Sequence, residues 1–242
     1  MLDAIRQLTE AALAAPDAVT ATRAFNIALK PHGATYLQTR AYRRPTAPLT
    51  AKSHWDAGGF VARHARPGWI GSAAHKHICI AQNPLIEPIR RGMTRYRFGE
   101  FAPQSARSFA PYWDAMREGD IAEALCATAN GPERRIASVH IGFDRRAFAP
   151  GEDIAIQLAG MILVEKLVDE ADVPDAAAIP RLTVRERDAI SYVAEGKTDW
   201  EIAKIMGVSE ATARFHVDNA RRKLGGVNRA HAVARFLALN PF

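Results

Sequence analysis

The chain has 242 residues, 48% of them apolar, and carries 32 Lys and Arg against 26 Asp and Glu for a net charge of +6. That suffices for one sizeable core plus a small satellite domain, and the basic balance permits contact with nucleic acid without requiring it. Two cysteines, Cys79 and Cys126, cannot build a disulfide framework, and no apolar run reaches the roughly 18 residues of a membrane span, so secreted scaffolds and integral membrane proteins are excluded.

The opening MLDAIRQLTEAALAAPDA carries Asp3, Arg6 and Glu10, which interrupt the apolar core a signal peptide needs, so the expected location is a reducing cytoplasm. Leu2, Ile5, Leu8, Ala12 and Leu13 recur at helical spacing, and a second helix is expected from Pro16 to Lys30, stopped by Pro31 and Gly33. Ala34 to Tyr42 alternates like a strand, and PTAPLTAKS after it reads as a loop. Between His54 and Ile80 the residues Gly58, Gly59, Pro67, Gly68 and Gly71 break the chain into short pieces around Trp55, Phe60 and Trp69, whose elements stay open.

Asn83 and Pro84 open a helix from Leu85 to Gly92, and Tyr96, Phe98 and Phe101 lie in an extended aromatic segment. A long helix is expected from Gln104 to Asn130, with a break at Gly119 and Asp120. In RRIASVHIGFD, Ala137, Val139, Ile141 and Phe143 alternate with Ser138, His140 and Gly142, the clearest strand in the chain. Pro150 to Glu170 reads as a long amphipathic helix. Helices and strands that do not alternate strictly indicate an α+β or three-layer domain.

His75 and His77 in AHKHICI would share a face if this segment were a strand, but no third ligand stands at regular spacing, so no metal site is expected. Cys79, between Ile78 and Ile80, reads as a buried inert thiol. No P-loop, GxSxG or paired-carboxylate pattern occurs, so neither catalytic residues nor a cofactor is expected and the chain reads as a non-enzyme.

From Asp169 to Pro180 the run DEADVPDAAAIP holds four acids and two prolines, the composition of a linker. The expected division is a first domain over 1–171, a linker over 172–181 and a second domain over 182–242. From Arg181 onward there are 11 Lys or Arg against 7 Asp or Glu, an excess of 11 − 7 = +4.

Thr183 with Glu186, and Thr198 with Glu201, each have the three-residue spacing of a capping box ahead of an apolar run. Gly207 then stops the second helix and Ser209 opens a third. In that third helix Ala213, Val217, Ala220 and Leu224 make one apolar stripe. Its opposite face offers Phe215, Asp218, Asn219 and Arg222, flanked by Thr212, Arg214, His216, Arg221 and Lys223. Arg and Asn there can read guanine and adenine edges, while Lys and His suit phosphates. By charge alone the face is equally an ordinary solvated surface.

Residues 182–233 resemble the four-helix helix-turn-helix of the LuxR/FixJ class of bacterial transcription regulators, and GKTDWEIAKIMGVSEATARFHVDNARRKLGGVNRAHAV resembles its quorum-sensing branch. The resemblance implies that the helix from Ser209 to Lys223 enters the major groove and that a fourth helix, from about Asn228 to Leu239, pairs two chains. It places Leu224 and Val233 in the core and Lys197, Trp200, His216 and Lys223 on the DNA backbone. Arg214, Phe215 and Asn219 stand where base-reading side chains are expected, and Thr198, Ser209, Thr212 and Arg222 complete the candidate contacts. Asp218 weakens binding unless it accepts from a cytosine N4 or pairs with Arg214 or Arg222.

By position and length the first domain resembles the autoinducer-binding domain of the same regulators. This implies an α+β chain: a PAS-like α/β/α sandwich on an antiparallel sheet, followed by an all-α four-helix helix-turn-helix domain. In the family an acyl-homoserine lactone is held by a Trp and Tyr four apart, an Asp-Pro pair and an aromatic-Trp pair. Here Trp69 stands near the family Trp, but Ala73 and Ala74 replace the Tyr, Asn83-Pro84 replaces Asp-Pro, and Tyr96, Phe98 or Phe101 replaces the aromatic pair. Asn lacks the charge that strengthens such a bond, and each ligand group left unpaired in a dry pocket costs about 1–3 kcal/mol. The candidate ligand residues are therefore Trp69, Asn83, Phe98, Phe101 and Ser138. The expected ligand is a small molecule other than a standard lactone, or none, leaving a dimerisation or partner-binding domain. The whole chain is expected to be a homodimer on double-stranded DNA, with RNA polymerase or another regulator as a further partner. The competing expectation is a protein-interaction module that binds polymerase or a regulatory partner and touches DNA incidentally.

Overall fold

The computed structural model describes residues 1–44, 49–170 and 182–239. The chain divides into two compact units, the first built almost wholly from residues before 175 and the second mainly from those after 174; the expected linker over 172–181 lies outside the described residues.

The first unit opens with helices α1 (Leu2–Leu13) and α2 (Ala18–Leu29). The Asp17 carboxylate caps α2 by accepting from the Thr20 N–H at 2.8 Å. Strand β1 (Ala34–Arg43) follows, then α3 (Ala51–Asp56), β2 (Phe60–His64), α4 (Ala73–Lys76) and a π turn over His77–Ala81. Next come α5 (Ile86–Arg90), β3 (Arg95–Arg97), α6 (Phe98–Phe101), α7 (Ala110–Arg117), β4 (Glu123–Asn130), β5 (Arg135–Phe143) and α8 (Glu152–Glu170). The five strands form one sheet in the order β2-β1-β5-β4-β3, antiparallel throughout.

Side chains alternate across a strand, and here that alternation splits the unit into two cores. Leu37 and Ala41 of β1, Leu125, Ala127 and Ala129 of β4, and Ala137, Val139, Ile141 and Phe143 of β5 pack on α1, α2 and α8. Gly160 lets α8 lie close, since a Cβ there would meet Val139 and Ala127 at 3.2 and 3.3 Å. The other face sends Tyr36, Ala124 and Cys126 against Trp69, Tyr96, Tyr112, Trp113 and Met116. The result is the α/β/α sandwich. Among the described residues no helix is long and apolar enough to cross a membrane.

Three local expectations are corrected. The helix expected from Gln104 to Asn130 ends at Arg117, and Glu123–Asn130 is strand β4, with seven of its eight residues buried. Its Ala-rich sequence favours helix by propensity, but pairing with β3 and β5 on two covered faces outweighs that weak preference. Phe98–Phe101, expected extended, is a single helical turn after β3. The AHKHICI segment is helical, so His75 and His77, two residues apart, point to different sides and share no face.

The second unit is all helical: α9 (Val184–Ala194), α10 (Asp199–Met206), α11 (Glu210–Lys223) and α12 (Arg229–Leu239). Both capping boxes form, with Thr183 and Thr198 donating their backbone N–H to Glu186 and Glu201 at 2.8 Å each. Gly207 ends α10 at φ 66°, a left-handed conformation that glycine adopts without strain.

At the start of α8 the Glu152 carboxylate accepts from both terminal nitrogens of Arg145 at 3.1 and 2.8 Å and from the Ala149 N–H at 2.9 Å. The Arg145 hydrogen bonds are the main reason its pKa falls from 4.5 to about 2. A depressed folded pKa contributes stability that is complete above the unfolded value and lost as pH falls through the folded one. Glu152→Gln should therefore destabilise the protein by about 1–3 kcal/mol at pH 7. The difference from wild type should narrow as pH drops from 4.5 towards 2, which urea unfolding at a series of pH values will check.

Candidate functional site

Helix α11 is held by its apolar stripe: Ala213, Val217, Ala220 and Leu224 are all buried. The first two meet Ala189, Ile202 and Met206; the last two meet Ile190, Ala232 and Phe236. With that stripe inward, Arg214, Phe215, Asp218 and Arg222 are exposed on the other side, and Phe215 leaves 58% of its surface in solvent. Trp200 of α10 is equally open at 59%, with the Lys204 ammonium 5.6 Å from its ring. A basic face carrying two uncovered aromatic rings suits phosphate, sugar and base surfaces together.

The polar side chains on this face are already ordered. Arg214 donates to Asp199 of α10 at 3.1 Å and to Glu210 at 3.0 Å. Asp199 also accepts from Arg229 of α12 at 2.6 Å; burial opposes its ionisation, but the bonds from Arg229 and Arg214 outweigh this and lower its pKa. The Arg222 guanidinium donates to the Asn219 side-chain oxygen. Asp218 pairs with Arg221, three residues on along the helix, at 3.4 Å. Lys223 reaches back to Glu186 of α9 at 2.7 Å, joining the end of α11 to the first capping box.

The remaining candidates have structural duties too. The Thr198 hydroxyl accepts from the Glu201 N–H and donates to its carboxylate. The Ser209 hydroxyl accepts from the Thr212 N–H at 3.1 Å and lies 2.8 Å from the Thr212 hydroxyl. The Lys197 carbonyl accepts from Arg229 at 3.0 Å, and His216 packs edge-on to Phe215. Asp199 was missed in the sequence: as an acid in a helix's first turn it suits the dipole, which hides its bridging of α11 and α12.

In the first unit, the sheet face opposite α1, α2 and α8 encloses a cavity of about 40 Å³. Tyr36, Gln38 and Arg40 line it from β1 and His140 from β5; His54, Trp55, Phe60, Trp69, His75, Cys79, Phe98 and Tyr112 close much of the rest. Of the five candidate ligand residues, Trp69, Asn83 and Phe98 line this cavity. Phe101 packs behind it on Tyr96, ring centroids 5.8 Å apart, and Ser138 sits on β5 opposite Arg40, outside the lining. Trp69 is immobilised by its indole N–H bond to the Ala115 carbonyl at 3.2 Å and by Gly119, where a Cβ would stand 2.5 Å from its ring. Asn83 turns its amide to the backbone, donating to the Cys79 carbonyl and accepting from the Leu85 N–H.

The sequence reading missed Gln38, Arg40, His54 and His140. On a strand, Gln38 and Arg40 resemble the solvent side of an alternating pattern, yet the layer over the sheet buries them to 7% and 2% exposure. Burial drives the His54 and His140 pKa values down to about 2 and about 3, and pushes the Cys79 thiol up to about 12. Burial thus disfavours the Cys79 thiolate. Among the described residues no group of three His, Cys, Asp or Glu side chains could hold a metal.

Residues 180–236 match the family described as bacterial regulatory proteins, luxR family. The transcriptional activator protein BjaR1 of Bradyrhizobium diazoefficiens is 31% identical over 168 residues, covering 66% of this chain and 67% of that protein. The quorum sensing-dependent regulator RpaR of Rhodopseudomonas palustris is 48% identical over 59 residues, 24% of each chain. Among solved structures, Escherichia coli SdiA superposes with a TM-score of 0.60 at 18% identity, covering 98% of this chain and 97% of its own. CepR2 of Burkholderia cenocepacia, an N-acylhomoserine lactone dependent factor, gives 0.51 at 10% identity over 70% of this chain and 94% of its own. These two likenesses show the fold. With a capped, basic helix-turn-helix following an α/β/α domain, the chain belongs to the LuxR family of bacterial regulatory proteins and is a DNA-binding transcription regulator.

Proposed function

We propose that this regulator works in the cytoplasm as a homodimer paired through α12, with two copies of α11 in successive major grooves about one helical turn apart. Arg214, Phe215 and Asn219 read base edges, while Lys197, Trp200, His216, Arg222 and Lys223 meet the backbone. Thr198, Ser209 and Thr212 hold the positive ends of α10 and α11 towards phosphates. The observation that carries this reading is α11 itself, with its stripe buried and its basic, aromatic face in solvent.

The ion pairs on that face preorganise it. Arg214 can exchange Glu210 for a guanine edge while Asp199 keeps it aligned, and Lys223 retains two N–H donors for phosphate beside its bond to Glu186. The relatives bear the name of transcriptional activators, which supports a contact with RNA polymerase. The first unit is a small-molecule sensor, a reading supported by its enclosed cavity and by the structure of SdiA in complex with octanoyl-rac-glycerol.

Selection of bound sequences from a random DNA pool followed by gel shift tests the base contacts. Arg214→Ala and Asn219→Ala should each cost about 1–3 kcal/mol on the selected site and relax preference at one position; unchanged preference in both overturns the base-reading roles. Lys197→Ala should weaken binding to all sequences alike and reduce the slope of log K against log salt by about one. Affinity indifferent to salt would favour the protein-interaction reading instead. Sedimentation of the full chain should give twice the monomer mass.

A further inference from the structure

Among the described residues that line the cavity of the first unit, Arg40 is the one cation and none is an acid. Arg40 is 2% exposed; among the described residues it forms no ion pair with a carboxylate, and the charge effects felt most strongly by it come from Tyr42, Cys79, Tyr36 and Arg63. Its Nε and Nη2 donate to the Gly58 carbonyl at 2.9 and 2.6 Å, and Nη2 also donates to the His54 carbonyl at 2.7 Å. Nη1 lies 2.7 Å from His54 Nε2. Arginine has only donors, so that ring nitrogen accepts and the His54 proton sits on Nδ1, 2.9 Å from the Tyr42 hydroxyl. One Nη1 N–H is left over. The rings of Tyr42 and Phe60 lie 4.6 and 4.7 Å from the guanidinium carbon and supply only the partial charge of a π face.

The other titratable groups facing the cavity are neutral. Burial lowers the pKa of His54, His75 and His140 and raises those of Cys79, Tyr36 and Tyr112. Arginine keeps its proton even when buried. The two carbonyls orient the guanidinium but bring no counter-charge, and a buried charge without one is costly. Two residues along the same strand face, the Gln38 side-chain oxygen is also buried and lacks a hydrogen-bond donor. An anion would supply the counter-charge, and a hydroxyl or N–H on the same molecule would supply the donor.

We propose that the cavity takes a compact organic acid that carries a hydroxyl or N–H donor, with its carboxylate on Arg40, its donor on Gln38 and its apolar part among Trp55, Phe60, Trp69 and Phe98. The cavity is small, with about 40 Å³ of free space, which favours a compact acid over one with a long acyl chain. The inference rests on the reading of the first unit as a small-molecule sensor and adds the class of molecule sensed.

Calorimetric titration and thermal melting of the full chain with matched probes test it: isovalerate, phenylacetate and 4-hydroxyphenylacetate, the amide of each, and hexanoyl-homoserine lactone. At least one acid should bind and raise Tm, with its amide about tenfold to a hundredfold weaker. Arg40→Gln should shrink that ratio to about twofold or less. Gln38→Leu should remove any advantage of 4-hydroxyphenylacetate over phenylacetate while keeping the preference for acid over amide. Should Arg40→Gln fail to fold, the wild-type ratio of acid to amide decides alone. Equal binding of acid and amide, or binding of the lactone only, overturns the organic-acid proposal and leaves the sensor reading standing. No binding by any of the seven probes overturns both.

Discussion

Successive side chains of a strand point to opposite faces of its sheet, and in the first unit of this protein both faces are covered. Everything distinctive about the unit follows from how the two coverings differ. The face under α1, α2 and α8 receives Leu, Ala, Val, Ile and Phe and closes into a dry core. The opposite face, under short helices and turns, must bury Gln38, Arg40, Ser138 and His140 from the same strands. Polar groups placed there need partners from the covering layer, which is why His54 and Gly58 meet Arg40. A cavity with a polar wall results from covering a strand face that is not apolar.

The second unit works by the opposite arrangement. Its inward surface is mostly apolar, built from Ala, Ile, Val, Leu, Met and Phe, so the helices pack tightly. Arg214, Arg229 and Lys223 are bridged by acids from neighbouring helices: Asp199 links α10 to α11 and α12, and Glu186 links α9 to the end of α11. Each pair joins a mostly buried acid to a more open cation, so the long basic side chains are held in one geometry.

Local signals carried the second unit almost entirely. Two Thr-x-x-Glu boxes, Gly207 and Ser209 set helix ends by bonds between residues at most four apart, and those bonds form within the segment itself. The first unit was legible where periodicity was strong, at β1, β5 and α8, and illegible where neighbours decide. Glu123–Asn130 is a strand because β3 and β5 flank it, and Phe98–Phe101 turns helical at the edge of that sheet. For the cavity, Trp69, Asn83 and Phe98 drew notice only through the family resemblance, while Arg40 stands in an alternating strand with no local signal that it is buried.

The sequence by itself determined the boundaries of the helix-turn-helix, the stripe that seats α11 and the residues it turns outward, because capping and 3.6-residue periodicity are short-range physics. Only the tertiary structure decided which acids hold those outward residues, and that a cation on β1 lies inside the molecule without an ion pair among the described residues. Both depend on segments far apart in the chain meeting in space, and no local pattern records which side of a strand will be covered.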